Sequence, residues 1–129
     1  MSITSSLLFC RTVRIFFWLL LIAASIAMLR PEPIQIRNEL VPEEAWFHAA
    51  KAFHIAGYAL LTALALTGYP KANTKLMLAG MLAHGGLIEL IQPHVGRNGS
   101  ISDVGFDALG ILLGLAFIYW MLRVRAPAP

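Results

Sequence analysis

Long apolar runs separated by short polar segments dominate this chain. Four runs approach the roughly 20 residues that a helix needs to cross the hydrocarbon core of a membrane. They cover residues 13–29, 52–69, 76–91 and 104–122. None shows the strict alternation of apolar and polar residues that is typical of a membrane β-strand. The pattern therefore predicts an all-α fold, an integral membrane bundle of four transmembrane helices that forms a single membrane domain over residues 1–129.

The first apolar run also admits a second interpretation. Arg11 and Arg14, followed by apolar residues and a Ser-Ile-Ala segment that ends at Ala27, could form a signal peptide that is cleaved after Ala27. The run continues through Leu29 and three further runs follow it, which favours a retained transmembrane helix.

Composition agrees with a membrane protein. Hydrophobic residues make up 58% of the chain and charged residues only 13%, about half of the ~25% found in soluble domains. The net charge is +3, but no basic stripe with interleaved aromatic residues is present, so the expected partner is the lipid bilayer and not nucleic acid. The lone Cys10 excludes an internal disulfide and a multi-thiolate metal site. No cofactor is expected.

The distribution of lysine and arginine predicts how the bundle is oriented. One side holds the N-terminus, the loop at residues 70–75 and the C-terminus, with six basic residues and no acid. The opposite side holds the other four basic residues and all seven acids. Because cytoplasmic segments carry an excess of lysine and arginine, both termini are predicted to be cytoplasmic. Loops 30–51 and 92–103 then face outward.

Polar residues gather at the outer ends of the predicted helices. Lys51, His54 and Tyr58 share one face of the second helix, since they are spaced three and four residues apart. Glu89 and Gln92 share a face at the end of the third helix. An ionised carboxylate inside a span costs about 2–3 kcal/mol or more at the bilayer centre and less near its edge, so Glu89 needs a cationic partner or a proton. The candidate partners are Lys51, His54 and Arg97.

The start of the fourth helix carries further polar residues. Ser100-x-x-Asp103 before an apolar run fits a capping box, with Ser100 as the N-cap. Asp107 lies one turn beyond Asp103, on the same face as Gly110-x-x-x-Gly114. Such pairs of small residues allow tight packing between membrane helices, so this face is predicted to point into the bundle.

Several kinds of site are disfavoured by the sequence. Four residues at the outer end are acceptable metal ligands by type: His54, Glu89, His94 and Asp103. The chain has no HExxH motif, and Lys51 and Arg97 would repel a cation, so no metal site is predicted. The remaining histidines are expected to form hydrogen bonds. No serine nucleophile motif is present, and the polar groups stop near one interface instead of crossing the membrane as a channel would require.

The polar positions resemble the VanZ-like family over about residues 50–115. The matching segments are Lys51-x-x-His54-x-x-x-Tyr58, Glu89-x-x-Gln92 and Gly96-Arg97-x-x-Ser100-x-x-Asp103-x-x-x-Asp107-x-x-Gly110-x-x-x-Gly114. Two positions depart from the family: Ala50 stands where an acid is usual, and Asp107 where asparagine is usual. The resemblance implies a small multi-pass protein of the bacterial cytoplasmic (inner) membrane. The founding member is associated with resistance to the glycopeptide teicoplanin, which implies a role in the cell envelope.

Two interpretations of the polar residues stay open at this point. In the first, Lys51, His54 and Arg97 hold the headgroup of an anionic lipid or a lipid-linked envelope precursor. Glu89 and Asp103 then orient these cations or act as acid and base, which makes Glu89, His54 and Asp103 the candidate catalytic residues. In the second, the same residues form a structural ion-pair network, with Asp103 paired to Arg97, that supports assembly with a membrane-protein partner. The predicted ligand-binding residues are Lys51, His54, Tyr58, Glu89, Gln92, Arg97, Ser100, Asp103 and Asp107.

Overall fold

Four long helices make up the described part of the protein. The computed structural model describes residues 3–31 and 42–125, and every regular element within these ranges is helical. The elements are α1 (Ile3–Leu29), α2 (Glu43–Gly68), α3 (Thr74–Ile91), a short 3-10 helix (Gln92–Val95) and α4 (Ile101–Arg125). All four α-helices contain segments long and apolar enough to cross a membrane. The prediction of an all-α membrane fold with four spans is therefore confirmed.

The helices extend beyond the apolar runs that predicted them. α1 begins at Ile3, whereas the predicted run began at residue 13, so the helix also includes Arg11. Arg14 Nε donates a 2.7 Å hydrogen bond to the carbonyl oxygen of Gly68, and its guanidinium lies 4.7 Å from the centre of the Tyr69 ring. These contacts fix the N-terminal half of α1 against the end of α2, and they give the arginine partners at the edge of the apolar region.

Close packing of α2 against α4 forms the centre of the bundle. A Cβ atom added at Gly110 would collide with the carbonyl oxygen of Ile55, and one at Gly114 with that of Ala59. The two glycines therefore allow the backbones of α2 and α4 to approach each other, as their spacing predicted. This approach turns the face of α4 that carries Asp107 toward α2 and α3.

Apolar side chains cover both the inside and the outside of the bundle. Phe17, Leu61 and Ala65 form a buried cluster where α1 packs on α2. Large apolar residues on all four helices are exposed, among them Ile22, Phe53, Leu76, Ile101 and Leu122. A surface this apolar suits a bilayer, because lipid chains cover it without exposing it to water.

The predicted orientation can be measured with cysteine labelling. Ala72 and Asn98 are exposed residues in loops at opposite ends of the bundle. In a Cys10→Ser background, we expect a membrane-impermeant maleimide to label Asn98→Cys in intact spheroplasts. Ala72→Cys should react only after the membrane is permeabilised, because the positive-inside rule places its loop in the cytoplasm. The reverse pattern would show that the termini face outward.

Candidate functional site

One end of the bundle collects most of the predicted site residues. The C-terminal ends of α1 and α3 meet the N-terminal ends of α2 and α4 there, and we call this the site end. Among the described residues, six polar side chains are buried: His54, Thr62, Glu89, Gln92, Asp103 and Asp107. All except Thr62 belong to the predicted set. We define the polar cluster as Lys51, His54, Tyr58, Glu89, Asp103 and Asp107.

Lys51 supplies the cation that pairs with Asp103. Its Nζ forms an ion pair and hydrogen bond with Asp103 Oδ1, and both side chains are largely shielded from solvent. The second carboxylate oxygen, Oδ2, lies 3.8 Å from His54 Nε2. The predicted pairing of Asp103 with Arg97 is therefore replaced by a contact between α4 and α2, which the approach of these two helices makes possible.

His54 and Asp107 form the most deeply buried pair of the polar cluster. His54 Nδ1 lies 2.7 Å from Asp107 Oδ1, and Asp107 is only 1% exposed. With Asp107 ionised, Nδ1 donates the proton and a neutral imidazole keeps its lone pair on Nε2. The other Asp107 oxygen, Oδ2, has no hydrogen-bond partner within the described part of the chain. A Cβ atom at Gly85 would collide with that oxygen, so glycine at this position makes room for the carboxylate.

A second hydrogen-bond chain joins three helices beneath this pair. Tyr58 Oη lies 2.8 Å from His84 Nδ1, and His84 Nε2 lies 2.9 Å from Ser25 Oγ. The expectation that His84 forms hydrogen bonds is confirmed, but its two partners were missed, as was Ser25 itself. A histidine inside a span was the available signal, since polar groups at that depth usually have a specific partner. The phenol and imidazole thus tie α2 to α3, and the serine extends the chain to α1.

Removing the Tyr58 hydroxyl should weaken this chain measurably. Tyr58→Phe leaves the ring in place but leaves His84 Nδ1 without its partner. We expect the free energy of unfolding to fall by about 1 kcal/mol, the usual net contribution of one such hydrogen bond. SDS titration of the purified protein measures it, with Tyr119→Phe on the exposed face of α4 as the matched control. Equal stability of the two variants would mean that the chain contributes nothing to folding.

Glu89 binds the backbone that leads into α4. Its Oε2 accepts a 2.7 Å hydrogen bond from the backbone N–H of Ser100. The predicted capping box is therefore wrong, because the Ser100 N–H bonds to Glu89 instead of Asp103, and Ser100 Oγ bonds to Ser102 Oγ at 2.7 Å. The remaining carboxylate oxygen, Glu89 Oε1, is buried and has no hydrogen-bond partner among the described residues.

Gln92 and Arg97 contact the end of α1. Gln92 Nε2 donates to the carbonyl oxygen of Met28 at 3.3 Å. Arg97 Nη1 donates to the carbonyl oxygens of Ala27 and Arg30 at 3.4 and 3.2 Å. The last carbonyl groups of a helix have no partner within it, so these two side chains satisfy groups that would otherwise be left without one. Both predicted ligand-binding residues thus have a structural contact at the site end.

A groove lies between α3 and α4 at the site end, with a volume of about 720 Å³. Apolar side chains form most of its walls: Ala83, Leu87, Leu90, Ile101 and Val104. Glu89 and Ser100 add polar groups to the same walls. Because Leu87, Leu90 and Ile101 are exposed, the groove opens on the outer surface of the bundle, where lipid would lie.

The polar cluster carries more negative than positive charge. With Glu89, Asp103 and Asp107 counted as ionised, Lys51 as protonated and His54 as neutral, the formal charge of the cluster is −3 + 1 = −2. His54, Glu89 and Asp103 each offer one ligand atom, and these three atoms lie within 4.8 Å of one another. Three different helices supply these three residues, so a metal site here would leave no short motif in the sequence. The lack of such a motif therefore does not argue against a metal.

Comparison with known proteins gives no information on the role of these residues, because no protein family, curated protein or solved structure matches the chain. The resemblance to the VanZ-like family therefore rests on the spacing of the polar positions within residues 50–115.

Proposed function

We propose that this protein is a VanZ-like membrane protein that binds a cell-envelope amphiphile in the groove between α3 and α4. The observation that carries the proposal is the buried oxygen Glu89 Oε1, on a residue of the groove wall, with no partner in the described ranges. A buried acceptor without a hydrogen bond costs free energy, and a donor on a ligand would remove that cost. A bacterial cytoplasmic membrane, with the site end outward, is part of the same proposal.

The shape of the groove supports an amphiphile. Its volume falls within the range of about 300–1,000 Å³ that is typical of ligand sites. Its apolar walls suit an acyl or prenyl chain, and Glu89 and Ser100 offer a place for a headgroup. Lys51 and His54 already contact carboxylates, so they fit the expected role of holding a bare anion less well. A headgroup with hydroxyl or amine groups, on an anionic lipid or a lipid-linked precursor, would donate a hydrogen bond to Glu89 Oε1.

A structural role is the second candidate function. Hydrogen bonds and ion pairs of the site end reach all four helices: Lys51 and His54 join α2 to α4, Glu89 joins α3 to the start of α4, and Gln92 joins the 3-10 helix to α1. Such a network would present a rigid surface to another membrane protein. It leaves Glu89 Oε1 unexplained, which is why the amphiphile is the first candidate.

Native mass spectrometry in mild detergent tests the proposal. We expect wild-type protein to carry a specific amphiphile that Glu89→Gln loses. The amide oxygen of glutamine can still accept the hydrogen bond from the Ser100 N–H. Its NH₂ group then takes the place of Glu89 Oε1, and a donor there cannot accept a hydrogen bond from a donor on the headgroup. Glu44→Gln, an exposed acid at the same end, is the matched control and should keep the adduct.

Thermal melting of all three proteins shows whether each is folded. A folded Glu89→Gln that keeps the wild-type adduct would contradict the proposal. Wild-type protein without a specific adduct would favour the structural role instead.

A further inference from the structure

We infer that His54, Glu89 and Asp103 form a binding site for one divalent cation of the zinc class. The residues come from α2, α3 and α4, and their ligand atoms lie within 4.8 Å of one another. Zinc bonds of ~2.0–2.2 Å in a tetrahedral arrangement place ligand atoms ~3.4 Å apart. The 3.8 Å between His54 Nε2 and Asp103 Oδ2 is close to that spacing, so small side-chain rotations would complete the site.

Each of the three residues has one atom held and another left for a cation. Asp107 holds His54 through Nδ1, which leaves the lone pair on Nε2. Lys51 holds Asp103 through Oδ1, which leaves Oδ2.

The Ser100 backbone holds Glu89 through Oε2, which leaves Oε1. Partners of this kind are typical of metal sites, where they orient the ligands and set the tautomer of a histidine.

Two further observations point to a ligand in this cluster. Glu89 is only 7% exposed, and its Oε1 has no hydrogen-bond partner within the described ranges. The formal charge of the polar cluster, with its carboxylates counted as ionised and His54 as neutral, is −2, which one divalent cation would balance. Lys51 leaves Asp103 Oδ2 available to a cation, because it occupies the opposite oxygen of the carboxylate. An imidazole and two carboxylates form a donor set that suits zinc.

Three protein ligands would leave a coordination position open, as in zinc sites that bind water or a substrate. Glu89 also belongs to the groove wall, so the cation would lie beside the groove and give an anionic headgroup a positive partner. The site goes beyond the proposed amphiphile binding and does not need it. Both proposals use Glu89 Oε1, so Glu89→Gln is expected to lose the metal and the adduct alike. His54 is not part of the groove wall, so a His54→Gln variant that loses Zn²⁺ and keeps the amphiphile adduct separates the two proposals.

The test is a Zn²⁺ titration of the full chain without a histidine tag, purified in mild detergent and freed of metal with a chelator. We expect one Zn²⁺ per chain by calorimetry and by elemental analysis. His54→Gln and Glu89→Gln should each weaken binding by at least about tenfold, since even the partners of metal ligands contribute that much. His94→Gln and Glu44→Gln, exposed residues of the same types at the site end, should bind as wild type does.

Folded wild-type protein that takes up no stoichiometric Zn²⁺ would overturn the inference, as would unchanged affinity in both cluster variants. If those variants fail to fold, the visible absorption spectrum of wild-type protein loaded with Co²⁺ still tests the inference. Nitrogen and oxygen ligation in a site of low coordination number should give intense visible bands. A weak spectrum like that of the hydrated ion would also overturn the inference.

Discussion

Gly110→Ala should lower the free energy of unfolding by about 1–3 kcal/mol, the usual cost of overpacking a well-packed interior. The added methyl group would collide with the carbonyl oxygen of Ile55 and approach the Cβ of Tyr58. A backbone carbonyl cannot turn away as the end of a flexible side chain can, so α2 and α4 would have to separate. Separation would also weaken the contacts of Lys51 with Asp103, because these residues lie on the same two helices.

Gly105→Ala on the same helix is the matched control. A Cβ atom at Gly105 meets nothing within 4 Å, so alanine there should be neutral or slightly stabilising, given its higher helix propensity. SDS titration and thermal melting of both variants measure the difference. If Gly110→Ala proved as stable as Gly105→Ala, the close approach of α2 and α4 would be refuted.

Lys51→Met should destabilise the protein by about 3 kcal/mol, because removing one partner of a buried ion pair leaves the other charge without compensation. Asp103 would lose its cationic partner and keep the 3.8 Å contact of Oδ2 with His54 Nε2. Replacing both residues, as in Lys51→Met with Asp103→Leu, should restore much of the lost stability, since apolar pairs of similar size are often as stable as the ion pair.

A double-mutant cycle measures this coupling directly. The two single variants and the double variant are unfolded in SDS, and the exposed Lys71→Met serves as the control for loss of a lysine. A single variant Lys51→Met with wild-type stability would exclude a structural role for this ion pair. Strong coupling together with loss of the amphiphile adduct only when Glu89 is changed would separate the structural pair from the ligand site.

The helices and most residues of the site could be predicted from the sequence. Four apolar runs have one physical explanation in a chain this poor in charge, so the number of spans could be counted. Helical periodicity placed His54 with Tyr58 and Asp103 with Asp107 on common faces, and the structure shows these faces turned inward. Charge inside a span is costly enough that burial against a partner was the expected outcome.

The partners themselves could not be read from periodicity. A repeat of 3.6 residues fixes which residues share a face, but the rotation and tilt of each helix follow from packing against its neighbours. The sequence paired Asp103 with Arg97, and the close approach of α2 and α4 brought Lys51 to it instead. The bond from Ser100 to Glu89 depends on how the loop before α4 folds back onto α3, which local capping rules do not describe.

The groove could not be predicted from the sequence either, because a gap between two helices depends on small differences in their separation. Gly86 forms part of its wall, and a Cβ atom added there meets nothing within 4 Å. Gly86 can therefore be enlarged without a collision. The groove would be filled while the polar cluster stays intact.

Native mass spectrometry of Gly86→Leu beside Gly80→Leu therefore tests the central claim, that the groove holds an amphiphile at Glu89. Gly80 lies on the same helix outside the groove, and a Cβ atom added there also meets nothing within 4 Å. We predict that both variants melt like the wild-type protein, and that only Gly86→Leu loses the adduct. Retention of the wild-type adduct by a folded Gly86→Leu would contradict the account, because the ligand would then have to bind elsewhere.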